Sequence, residues 1–92
     1  MHLQNLQEGD YRIYLGALEA PHGRGYTAAV VVTQWRGHGL VDGQPLDVWR
    51  DDRLSCGHCW PTAEAAMKYA LGKARERIRL RKRELLKRLL AS

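Results

Sequence analysis

The sequence predicts an α+β domain: a three-stranded antiparallel sheet, four-stranded if its third strand breaks in two, packed on one long C-terminal helix. Three observations carry that expectation. Two β-rich runs flank a short proline- and glycine-containing stretch within residues 11–36. A third run holding valine and tryptophan follows a glycine-rich excursion. From residue 63 to about residue 91, only Gly72 interrupts a helical pattern. Strands that all precede a single helix, rather than alternating with helices, describe an antiparallel sheet covered on one face.

Residues 1–9 read as a polar lead-in. In "YRIYLGALEA" (11–20), Tyr11, Ile13 and Leu15 alternate with Arg12, Tyr14 and Gly16, the period-two mark of a strand with one buried face. "YTAAVVVTQWR" (26–36) is apolar on both faces at its centre, as a central strand would be. The "PHGRG" between them supplies one proline and two glycines, so the pair reads as an antiparallel hairpin. "GHGLVDGQP" (37–45) carries a turn signal at Asp42-Gly43. "LDVWRDDRLSCGHCW" (46–60) is the third strand, with a potential break at Asp51-Asp52. Trp35, Trp49 and Trp60, in a chain without phenylalanine, are the natural large residues of a sheet–helix core.

Thr62 is placed to cap the helix, its hydroxyl accepting a bond from an early helical N–H, and Glu64 suits the positive end of the helix dipole. At about 100° per residue, Met67, Leu71, Ala74, Ile78, Leu85 and Leu89 form one stripe, flanked by Leu86 and Leu90 and interrupted by Arg81 and Lys82. Strands of about seven residues span ~23 Å, which a helix of ~16 residues covers at ~1.5 Å each. Residues 63–78 therefore suffice to cover the sheet, and the rest of the helix overhangs it. Three parts follow: the lead-in at 1–9, a β-β-β-α domain at 10–78, and a basic amphipathic extension at 79–92.

The chain has 92 residues and a formal charge of +5, enough for one small domain. The charge is segregated. Residues 73–88 hold nine basic and two acidic residues, a local +7, while the remainder holds six basic and eight acidic, a net −2. Such a basic segment speaks to partners rather than to fold. No apolar run approaches the ~18 residues of a membrane span, and no signal segment is visible. A cytoplasmic protein with no membrane partner is expected, and in that compartment the cysteines would be thiols.

Both cysteines lie in Cys56-Gly57-His58-Cys59, which is identical to the active-site tetrapeptide of the protein disulfide isomerases in the thioredoxin family. There a thiolate at a helix start attacks a disulfide and the second cysteine resolves the intermediate. The context differs: every strand precedes this tetrapeptide, and Trp60 follows the second cysteine instead of preceding the first. Zinc would need two more ligands beside the C-x-x-C pair, with His58, His38 and His22 as candidates scattered in turns. In an extended strand, Cys56, His58 and Trp60 share one face, and the two cysteine Cα atoms stand ~10 Å apart, too far for a disulfide. The structural reading is the leading one, with no metal and no cofactor expected.

Tyr26 to Val32 as a strand, followed by a helix entry through Thr62, Glu64, Ala65, Ala66 and Ala70, resembles the HicB-type antitoxin domain and related small bacterial β-β-β-α proteins. The likeness covers residues 11–78 and implies a fold similar to a trimmed double-stranded-RNA-binding domain. Two features depart from it. No separate helix-turn-helix or ribbon-helix-helix part is visible, and the Gly-Cys turn before the helix is replaced by residues 56–60.

The functional expectation is a non-enzymatic binding module. Paired carboxylates in a glycine-bounded pocket motif, a nucleophile elbow and a phosphate loop are all missing from the sequence. Lys73, Arg75, Arg79, Lys82, Arg83 and Lys87 are the candidate contacts to RNA or DNA. Ile78, Leu85, Leu86, Leu89 and Leu90 are the candidate protein interface, most simply that of a homodimer. The competing expectation, which the resemblance also implies, is an inhibitor or antitoxin-like module whose basic end meets an acidic protein surface.

Overall fold

The computed structural model describes residues 2–35, 46–51 and 58–91, and the side chains of these except Leu46 and Asp47. Four strands precede one helix: β1 (His2–Glu8), β2 (Tyr11–Glu19), β3 (Tyr26–Gln34), β4 (Leu46–Asp51) and α1 (Ala63–Ala91). The strands lie in the order β1-β2-β3-β4, each antiparallel to the next. The α+β class is as the sequence predicts, and the β2–β3 hairpin forms across Pro21–Gly23.

The first correction falls within the expected lead-in of residues 1–9: residues 2–8 are not a lead-in. They form β1, the edge strand, paired with β2 from His2↔Ala17 to Glu8↔Tyr11. The sheet therefore takes in residues 2–8, ahead of the expected boundary at residue 10, and the fourth strand lies N-terminal to the other three. An edge strand exposes one face and one rim, so it needs few apolar residues; only Leu6 packs against the core. The Gly9-Asp10 loop closes the hairpin with Gly9 at φ +60°, as the first central position of a type II′ turn requires.

β4 ends at Asp51. The expected continuation through Cys56, and the turn at Asp42-Gly43, lie outside the described residues. The chain rejoins β3 at Trp60, whose N–H and carbonyl exchange hydrogen bonds with Tyr26 at 2.9 and 2.8 Å. That carbonyl lies directly over Gly25, where φ is +103° and a Cβ would overlap the Trp60 oxygen. Only glycine fits there.

Tyr11, Ile13, Leu15 and Ala17 of β2 and Ala28, Val30 and Val32 of β3 are buried toward the helix; the alternation in the sequence predicts this for Tyr11, Ile13 and Leu15, and the register with β2 fixes it for β3. On α1 the buried seam is Ala66, Ala70, Ala74 and Ile78. The predicted stripe is thus centred about one residue off, since Met67 and Leu71 are only half-buried flanks. The alanines win the central row because small side chains let the helix approach Ala17 and Ala28 closely, and close packing favours the nearer arrangement.

Thr62 caps α1 as expected: its Oγ1 accepts the Ala65 N–H at 3.1 Å. The helix runs parallel to β3. Trp60, just before α1, is bridged to Tyr26 at the start of β3, and Arg81 donates to the Gln34 side chain at its end, 3.1 Å away. Nine strand residues and residues 63–81 of the helix both span ~27 Å. Beyond that point α1 overhangs the sheet, and the molecule measures 52 × 27 × 16 Å. Among the described residues, no helix is long and apolar enough to cross a membrane.

The tryptophans are a second correction. Trp49 and Trp60 are half-buried against the core, but Trp35 is 47% exposed, with its indole N–H bonded to Thr33 Oγ1 at 2.8 Å. Thr33 and Trp35 share the face of β3 that turns away from the helix.

Two glycine substitutions should separate conformational need from tolerance. Gly25→Ala should lower unfolding stability by at least about 2 kcal/mol through backbone strain and overlap with Trp60. Gly72→Ala, in the helix interior with open space around its Cβ position, should raise it by about 0.5–1 kcal/mol. Urea denaturation of both variants against the parent measures each sign.

Candidate nucleic-acid interface

α1 carries the whole basic segment, and its contacts sort the cations into two groups. Those of the first group are occupied by the domain itself. Arg75 pairs with Glu8 of β1, Nε to Oε1 at 2.6 Å. Both side chains are partly exposed, so the pair contributes under about 1 kcal/mol, yet it fixes where Arg75 points. Lys73 lies 3.6 Å from Glu76 and 5.8 Å from the Tyr69 ring. Arg77 sits over Trp49 at 5.2 Å and Lys82 over Tyr11 at 5.7 Å, with their aliphatic stems along the rims of the core. Arg81 donates to Gln34, while its Nε is buried without a partner. Arg88 meets Glu84 one turn away at 3.4 Å.

The second group is Arg79, Arg83 and Lys87. All three are exposed and have no hydrogen-bond or carboxylate partner among the described residues. Spaced by four, they form one row along the helix with ~6 Å of rise between successive members, on the side opposite the alanine seam. Of the six candidate nucleic-acid contacts, then, Arg79, Arg83 and Lys87 stand together facing outward. Lys82 flanks them from the β1 side, and Lys73 and Arg75 are drawn into intrachain contacts.

The candidate protein interface also divides. Ile78 is 5% exposed and belongs to the core, so it cannot serve as a docking residue; the sheet reaches one turn further along α1 than a partner at that position would allow. Leu85 is half-buried. Leu86, Leu89 and Leu90 are 56%, 72% and 78% exposed. Leu85 and Leu86 point ~100° apart, so the four leucines make two adjacent rows, Leu85 with Leu89 and Leu86 with Leu90, with Arg83 beside the outer row.

A surface cavity of about 370 Å³ between β4 and α1 escaped the sequence reading. Trp49 and Tyr69 line it, with Lys73 and Arg77 set against Asp51 and Glu76. Its charges balance, which separates it from the cationic row. Only the four-residue spacing of Tyr69, Lys73 and Arg77 signals it in the sequence.

Cys59 is a half-buried free thiol, and the His58 ring packs edge-on against Trp60 at 4.7 Å. Cys56 and His38 lie outside the described residues. Among the described residues, no group of three or more His, Cys, Asp or Glu side chains is gathered as a metal site. The arrangement offers charge and apolar surface. Compared with protein-family models, curated proteins and solved structures, the chain shows no match.

The split between covered and overhanging helix should appear in amide hydrogen exchange. Amides of residues 70–78 should exchange only on global unfolding, whereas those of residues 86–91 should exchange orders of magnitude faster, because an unsupported helical end is marginal in water. Equal protection along the whole of α1 would contradict this division.

Proposed function

We propose that this protein binds nucleic acid through the outward face of α1, weakly, without sequence specificity and without catalysis. The supporting observation is the row Arg79, Arg83 and Lys87: exposed, unopposed by carboxylates, and mounted on a helix that overhangs its own domain. Arg and Lys contacts to phosphate give affinity by releasing counterions and carry no sequence information. Three or four such contacts place binding in the weak, salt-sensitive range. Either RNA or DNA satisfies this chemistry, since the row reads charge alone. Lys82 reinforces it from the flank. Arg75, held by Glu8, contributes to the long-range field more than to direct contact. An antitoxin-like role against an acidic protein would use the same row, and it differs in hinging on a few apolar anchors rather than on salt.

Replacing Arg79, Lys82, Arg83 and Lys87 together by Gln should weaken binding to single- and double-stranded DNA and RNA alike. The slope of log K against log salt should shallow by about 0.7–0.9 for each phosphate no longer neutralised. Arg75→Gln, the control, should leave that slope nearly unchanged. Fluorescence anisotropy over a salt series reads both. A parent that binds none of these polymers at low salt, or a fourfold variant that binds as well as the parent, would refute the reading.

A further inference from the structure

The helix covers one face of the sheet, and the register places a second, open face opposite it. Leu3, Tyr14, Leu18, Val31 and Trp35 stand on that face, around Gly16 and Ala29. Leu3 is 75% exposed, Leu18 and Tyr14 are exposed, and Val31 and Ala29 are half-buried. Leu3 lies across Gly16, its Cδ2 3.6 Å from where a Cβ would be, and the Ala29 Cβ is 3.7 Å from that point. The centre is therefore flat and apolar. Its rim is polar: Asn5 and Gln7 accept bonds from Arg12 at 3.3 and 3.1 Å, and Thr27 and Arg50 lie at the other margins.

We infer that the open face of the sheet is the dimer interface of this protein, with a second copy of the same chain as its occupant. Charge decides between this face and the leucines of α1. Pairing two helical extensions would set the net +5 of residues 79–92 against the same charge on the other copy at ~8–10 Å, where screening at physiological salt, with a Debye length of ~8 Å, leaves much of the repulsion. Pairing the open faces stacks helix, sheet, sheet and helix at ~10 Å per layer. The two basic helices then stand ~30 Å apart on opposite outer surfaces, several Debye lengths from one another. A single chain bears only Arg12 and Arg50 as described cations on the buried side, both near its margins.

Area agrees. Four strands ~4.8 Å apart and about eight residues long present a footprint of ~500 Å², or ~1,000 Å² for two copies. That is the lower bound for a specific interface. An apolar centre with a polar rim, related to itself by a two-fold axis, is the form such an interface takes. The inference stands apart from nucleic-acid binding: the cations of the outward row remain exposed in either state.

Sedimentation equilibrium over a micromolar concentration range tests it. The parent should dimerise. Leu3→Asp with Leu18→Asp should weaken dimerisation by at least about a hundredfold, since each places a charge on a surface that dimerisation dewets. Both residues are exposed in the single chain, so circular dichroism should show the variant folded. Leu86→Gln with Leu90→Gln should dimerise like the parent. Monomeric parent protein at high micromolar concentration would overturn the inference, as would a dimer lost in the α1 variant and kept in the sheet variant. A monomeric parent whose affinity for single-stranded nucleic acid falls with Tyr14→Ala would likewise overturn it and assign the open face to base stacking.

Discussion

The structure depends on one close approach, the seam where Ala66, Ala70 and Ala74 lie against the inner face of β2 and β3. Small side chains bring α1 down onto the sheet and align it with β3. From that alignment follow the reach of Arg75 to Glu8, the seat of Lys82 on Tyr11 and the bond from Arg81 to Gln34. A helix held further off by larger residues would forfeit these flanking interactions together. The same seam fixes where cover ends. Because α1 keeps step with β3, it runs out of sheet at Gln34, and past Lys82 and the half-buried Leu85 it is projected beyond the domain.

That geometry gives the molecule two unlike surfaces. The helix layer concentrates positive charge on a narrow, extended rod, while the open side of the sheet is nearly uncharged at its centre and apolar. The two proposed partners, a polyanion and a second copy of the chain, would therefore not compete, because the sheet itself stands between the two surfaces.

What was legible in the sequence is what local chemistry determines. Thr62 and the unbroken pattern after it locate α1, because capping and periodicity are properties of neighbouring residues. The alternation of Tyr11, Ile13 and Leu15 locates the buried face of β2. β1 escaped because an edge strand can be almost wholly polar, although Gly9-Asp10 between two runs of extended character was a usable hairpin signal. Trp35 was misassigned because the valine-rich centre of β3 is apolar on both sides and hides its parity. The cations were counted correctly but could not be sorted. Arg75 and Glu8 are 67 positions apart, and only the folded sheet brings them together.

The meander order of the strands bears on how the chain acquires its structure. Each strand pairs with the one made just before it, so the sheet can assemble in the order of synthesis by local hairpins. Its inner face has no such provision: Ile13, Val30 and Val32 wait for alanines that arrive last. About 27 residues separate Asp51 from Ile78, which at ~5–20 residues per second is an interval of roughly 1–5 s. During that time both sides of a nascent sheet are apolar and wet. The chain is most vulnerable to off-pathway association then, and the late arrival of α1 is the event that ends it.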